Sequence, residues 1–273
     1  MDVPFTEEPI RGLVPDHLDP DELEARYILD ECVACGLVYQ RHAPGDELLR
    51  RVYENPALSS HAVEEARGLE VRRNYASQVE QLLKFFERPA HQVNVLDFGA
   101  GFGMWLRMAR AYGCRPYGSD LVESRHEGAE WETLSIDELP AQHFDFINTE
   151  QVFEHLVHPR AVLTELVRAL RPNGILRLSV PNGSDILERL AKGNWSAPKG
   201  APESLNAVAP LEHLNCFNHA SLKRMATGAG LELFNYPLRQ YIDQWERFRF
   251  IGSAFVHVMR RPQGTMLLFR KPG

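Results

Sequence analysis

The chain has 273 residues, 44% hydrophobic and 25% charged, which suits one large domain or one domain with a small appendage. Its net charge of −7 is concentrated at the start: residues 1–31 hold ten acids and two arginines, and the rest is near neutral with no basic stripe of the kind nucleic-acid binding needs. No apolar run reaches the roughly 20 residues that span a bilayer, the N-terminus lacks a signal pattern, and four cysteines at uneven spacing form no disulfide framework; no nucleic-acid or membrane partner and a cytoplasmic location are expected.

Residues 1–24 are rich in proline and acid and read as an irregular, solvated lead-in. Tyr27–Tyr39 holds two short β-prone runs around Cys32-Val33-Ala34-Cys35-Gly36, a hairpin or zinc knuckle. A structural zinc needs four ligands. No first Cys-x-x-Cys lies upstream, and only Asp16, His17 and Asp19 stand nearby to substitute. A thioredoxin-like reading of the pair lacks its βαβ context. Over 46–90, charges alternate with Leu48, Leu49, Val52, Tyr53 and then Val71, Tyr75, Val79, Leu82, Leu83 and Phe86. The later group has helical spacing and predicts helices covering an edge of a sheet.

Residues 93–108 are the most specific stretch. Val93, Val95, Leu96 and Phe98 read as a buried parallel strand, Gly99, Gly101 and Gly103 as a sharp turn, and Trp105, Met108 and Ala109 as a helix. A dinucleotide fingerprint, Gly-x-Gly-x-x-Gly, would place its third glycine at 104. Met104 stands there and the third glycine is Gly103. This spacing speaks against a nicotinamide-dependent reductase. A second short strand, Cys114–Ser119, ends in Asp120, 17 residues after Gly103. That is close to the roughly 20 residues expected of an acid accepting from ribose hydroxyls. A helix N-cap is the alternative role for Asp120.

Three segments follow: Thr133–Pro140 and His143–Asn148; Glu150–Pro159, containing Glu154-His155; and Leu170–Asn182, a helix end, a Pro-Asn-Gly turn and a strand. Residues 182–212 form a long Gly- and Pro-marked loop carrying Trp195, read as a substrate lid. The loop runs into Glu212–His219 and a helix beginning near Ala220. Two apolar runs, Phe250–Met259 and Thr265–Phe269, end the chain.

With Asp97 ahead of the glycines, the turn resembles motif I of the class I S-adenosylmethionine-dependent methyltransferases, and the later segments fall in that family's order over about 100–230. The resemblance implies an α/β fold: a Rossmann-like seven-stranded, mostly parallel sheet closed by a C-terminal antiparallel hairpin, with helices on both faces and a small N-terminal β-hairpin appendage. The implied domains are 1–45, the lead-in and Cys-x-x-Cys hairpin, and 46–273, the methyltransferase domain with its lid insertion at 182–212. The hairpin resembles the second half of a zinc ribbon that precedes some of these enzymes.

The resemblance implies S-adenosylmethionine as cofactor. It would lie against Gly99, Ala100, Gly101 and Gly103, with Asp97 holding the turn and the methionine ammonium. Asp120 and Leu121 would sit at the ribose, Ser135 and Ile136 at the adenine, and Gln151 beside the cofactor. At the adenine the family's usual acid is replaced by a hydroxyl. Tyr75 stands where relatives carry an aromatic over the cofactor; a core tyrosine is the alternative. For a hydroxyl acceptor a base near neutral pKa is needed, and His155 and His213 fall in the right places. The methyl group would then point towards His155, Trp195 and His213. No Asn/Asp-Pro-Pro-Tyr motif follows the fourth strand, which disfavours adenine or glutamine N-methylation. No set of acids and histidines matches the metal site of catechol-type enzymes, and no metal is expected.

The expected function is methyl transfer to a small molecule or biosynthetic intermediate, at oxygen. A C-methyltransferase on a nucleotide-linked sugar and a non-catalytic cofactor-binding partner protein are the alternatives. The oligomeric state is left open.

Overall fold

The computed structural model describes residues 1–14, 18–23, 26–53, 68–122, 129–237 and 264–273. In chain order the elements are β1 (Asp2–Pro4), β2 (Arg26–Glu31), β3 (Val38–Gln40), α1 (Asp46–Tyr53), α2 (Leu69–Phe86), β4 (Asn94–Phe98), α3 (Met104–Ala111), β5 (Arg115–Ser119) and β6 (Glu132–Thr133). They continue with β7 (Phe144–Glu150), α4 (Pro159–Ala169), β8 (Leu170–Pro181), α5 (Ile186–Lys192), β9 (Asn215–Cys216), α6 (His219–Gly228), β10 (Glu232–Phe234) and β11 (Gly264–Arg270).

Among the described residues, seven strands form the main sheet, in the order β10-β11-β8-β7-β4-β5-β6. β8 through β6 are parallel, while β11 runs antiparallel to β8 and β10 antiparallel to β11. This is the expected mostly parallel sheet. The strands are apolar on both faces because helices cover both. Val95, Phe146 and Ile175 face α2 and α3 through Val79, Leu82, Trp105 and Leu106. Leu96, Ile147 and Leu176, one residue on in each strand, face α4 and α6 through Leu163, Leu166 and Leu222. Successive strand residues point to opposite faces, so one register assigns both cores. The antiparallel pair uses 232–234 and 264–270; the Phe250–Met259 run lies outside the described residues.

The strand order reverses at β4 and β7. Open α/β sheets bind ligands at the carboxyl ends of strands at such a point. The glycine turn and the Glu154-His155 segment leave the sheet there.

A second antiparallel sheet, of four strands among the described residues, has the order β1-β2-β3-β9. The lead-in is therefore more ordered than its composition predicts. Phe5, Ile10, Val14 and Leu18 are buried with Tyr27, Val38 and Val52 against Ile186, Leu205, Val208 and Leu211. Apolar residues spaced among the acids find their partners nearly 200 residues away, in the 182–212 insertion. Tyr27 donates its hydroxyl to the Val208 carbonyl, and Trp195 meets the Tyr27 ring edge-on at 6.2 Å. Trp195 thus joins this second core. Cys32 and Cys35 flank the turn of the β2–β3 hairpin with free thiols. Asp19 caps a short turn by accepting from the Asp21 N–H, and Asp16 and His17 lie outside the described residues.

Candidate functional site

The turn after β4 is tied to the end of β5. The N–H groups of Gly99 (2.7 Å) and Ala100 (3.0 Å) donate to the Ser119 carbonyl, and the Gly101 N–H donates to Asp120 Oδ2 at 2.7 Å. Asp120 Oδ1 accepts from the Val122 N–H at 3.0 Å. Asp120 therefore fixes the turn itself.

All three glycines have positive φ, which disfavours side chains. Their surroundings differ. A Cβ on Gly103 would overlap the Trp131 ring, whereas a Cβ on Gly101 meets nothing within 4 Å. Gly101 thus has open space where a side chain would stand, beside the Asp120 carboxylate. Gly99 lies against Val152, which brings the 151–155 segment onto the turn.

Behind the turn a polar row crosses three parallel strands. Asn148 stands opposite Asp97 in the β4–β7 register, and Arg177 opposite Asn148 in the β7–β8 register. Asn148 Nδ2 donates to Asp97 Oδ1 at 2.7 Å, and Arg177 donates to Asn148 Oδ1 at 2.8 Å and to Glu150 at 3.4 Å. Burial pushes the Asp97 carboxyl up to about 7, opposed by the Asn148 hydrogen bond. Tyr75, on α2, feels the Glu150 and Asp97 charges, and burial raises its phenol well above the usual range. It faces this row.

The structure brings Asp97, Gly99, Ala100, Gly101, Gly103 and Asp120 together. Leu121 follows with its side chain 73% exposed. Gln151 has positive φ and donates its N–H to the Ser179 carbonyl, leaving its side chain exposed. The Ser135 hydroxyl and N–H both donate to Glu138, in a capping box just beyond β6 (2.8 and 2.9 Å). Ile136 packs against the main core.

His155 and His213 meet, with ring centroids 4.8 Å apart. His155 Nδ1 donates to the Glu212 carbonyl at 2.8 Å, and His213 Nδ1 donates to the Asn206 carbonyl. Burial holds both imidazoles neutral, at about 4 and about 3. Glu154 is buried beside them, its carboxyl raised by burial to about 8. Sequence reading missed Asn148, Arg177 and the Glu154 carboxyl as site groups. Their signal was polar side chains inside otherwise apolar buried stretches.

Comparison with known proteins bears on the family and the fold. The methyltransferase domain family matches residues 68–235. The chain is 27% identical over 168 residues to a ubiquinone biosynthesis O-methyltransferase of Idiomarina loihiensis, covering 54% of this chain and 68% of that protein. It is 30% identical over 132 residues to a glycine/sarcosine/dimethylglycine N-methyltransferase of Actinopolyspora halophila, covering 39% of this chain and 23% of that one. Among solved structures it resembles a chain in the complex between the Haloferax volcanii Trm112 methyltransferase activator and a methyltransferase. That match has a TM-score of 0.50 and 19% identity, and covers 80% of this chain and 96% of that one.

Proposed function

The chain belongs to the methyltransferase domain family, of the class I, S-adenosylmethionine-dependent kind, and we propose that it transfers a methyl group from that cofactor to an oxygen of a small molecule. The observation carrying this reading is the pairing of an open glycine cradle at Gly101 with two neutral histidines across the β4–β7 switch point. The cofactor, when bound, supplies an activated methyl on a sulfonium.

The chain's own groups would bind, orient and keep water out. Gly99, Ala100, Gly101 and Gly103 would give backbone close to the methionine half, with Asp97 as counter-charge to its ammonium. Asp120 and the adjoining Leu121 would hold the ribose. Ser135, Ile136 and Gln151 would border the adenine and the rim. Tyr75 would cover the cofactor from α2. His155 and His213 would border the acceptor hydroxyl, their imidazoles oriented by the bonds from Nδ1 to backbone carbonyls. Residues 182–212 would wall the acceptor space, as part of a unit with 1–45 rather than as a free lid. The O-methyltransferase name of the Idiomarina loihiensis relative supports oxygen. The Actinopolyspora halophila relative's name keeps nitrogen as the second reading.

The test is methyl transfer from a methyl-labelled cofactor to matched phenol, alcohol, amine and nucleotide-sugar panels, read by mass spectrometry. Label on a hydroxyl oxygen supports the proposal; label only on nitrogen or carbon overturns the oxygen assignment.

A further inference from the structure

Glu154, His155 and His213 make a compact group that the cofactor turn does not use. One ligating atom from each lies within 4.8 Å of the others, and His155 Nε2 is already 3.7 Å from Glu154 Oε1. Glu154 is fully buried, and neither carboxyl oxygen has a hydrogen-bond partner among the described residues. Such a group costs free energy to bury, and native cores satisfy nearly all of them. An imidazole anchored through Nδ1–H on a backbone carbonyl is the arrangement that surrounds metal-binding histidines. Both histidines here have it.

We propose that Glu154, His155 and His213 bind one divalent transition cation of the zinc class through one carboxylate oxygen and the two Nε2 atoms, leaving a coordination position for an oxygen of the methyl acceptor. Two histidines and one carboxylate with an open position form a recurrent catalytic metal set. Metal–ligand distances of about 2.0–2.2 Å place ligand atoms roughly 3.3 Å apart, so the group closes by modest side-chain rotation. A cation there would occupy the unpartnered carboxyl and lower the pKa of a hydroxyl approaching it. The inference rests on the methyl-transfer reading and specifies how the histidines meet the hydroxyl: as ligands of a cation rather than as proton acceptors. It replaces the sequence expectation of a metal-free site.

The test uses the full chain, stripped with chelator, dialysed against zinc and measured by elemental analysis. S-adenosylhomocysteine binding and circular dichroism report folding. Wild type and the double variant Cys32→Ser/Cys35→Ser should each hold one zinc per chain. Glu154→Gln and His213→Gln should weaken zinc by about 100-fold or more, beyond the loss from outer-shell changes, while retaining S-adenosylhomocysteine. Zinc absent from wild type, zinc lost only with the cysteines, or zinc undiminished in both single variants would overturn the proposal. If those variants do not fold, cobalt(II) in the wild type decides: d–d bands without thiolate charge transfer support it, and a thiolate band overturns it. S-adenosylhomocysteine binding without zinc removes only this inference; failure to bind S-adenosylhomocysteine removes the methyl-transfer reading itself.

Discussion

The Asp97 carboxylate accepts a 2.7 Å hydrogen bond from the Asn148 carboxamide directly across the β4–β7 register. Asp97 is also buried, and its carboxyl titrates at about 7 rather than near 3.8.

The native state therefore keeps a proton on Asp97 that the unfolded chain releases between about pH 4 and pH 7. Stability from this group is present at low pH and is lost as pH rises through that window. Cofactor binding has the opposite sign, because an ammonium prefers the ionised carboxylate. S-adenosylhomocysteine should bind more tightly as pH rises through about 7, by up to about tenfold per unit below it. Asp97→Asn should flatten the profile. Calorimetry between about pH 5.5 and 8 checks this; a flat wild-type profile would count against the assignment.

Asn148→Leu removes the hydrogen bond that opposes the upward shift of Asp97. The substitution should cost about 1–3 kcal/mol and move the midpoint of the binding profile to higher pH. Denaturant melts and the same titration measure both. An unmoved midpoint would mean that Asp97 does not govern the profile.

The glycines separate binding from stability. Gly101→Ala places a methyl in open space, so folding should lose only about 1–2 kcal/mol for the left-handed backbone while S-adenosylhomocysteine affinity collapses. Gly103→Ala drives a methyl into Trp131 and should lower the melting temperature more. Equal affinities for wild type and Gly101→Ala would refute the cradle.

The glycine turn was legible because its chemistry is local: the strand, the turn and Asp120 lie within 28 residues. The mostly parallel seven-stranded sheet with its antiparallel closing pair followed from resemblance to a family pattern. The Asp97–Asn148–Arg177 row was not legible, because it exists only through registers between strands separated by whole helices. His155 and His213 could be placed near one end of the sheet but not in contact. The lead-in misread as solvated has the same cause. Acids dominate its composition, while Ile10 and Phe5 are buried by partners that fold arrives at only through β9 and the insertion.

That second core gives its own expectation. Ile10 is fully buried, so Ile10→Ala should cost about 2–5 kcal/mol. Protease cleavage within 186–211 should rise, with little change in S-adenosylhomocysteine affinity. Cleavage unchanged from wild type would show that the N-terminal segment does not hold the insertion in place.

Isothermal calorimetry of the full chain with S-adenosylhomocysteine decides whether the turn at Gly99–Gly103 holds the cofactor. Wild type should show one site per chain with micromolar affinity, abolished by Gly101→Ala in a variant that still folds. No binding by wild type, or binding untouched by that substitution, would contradict it.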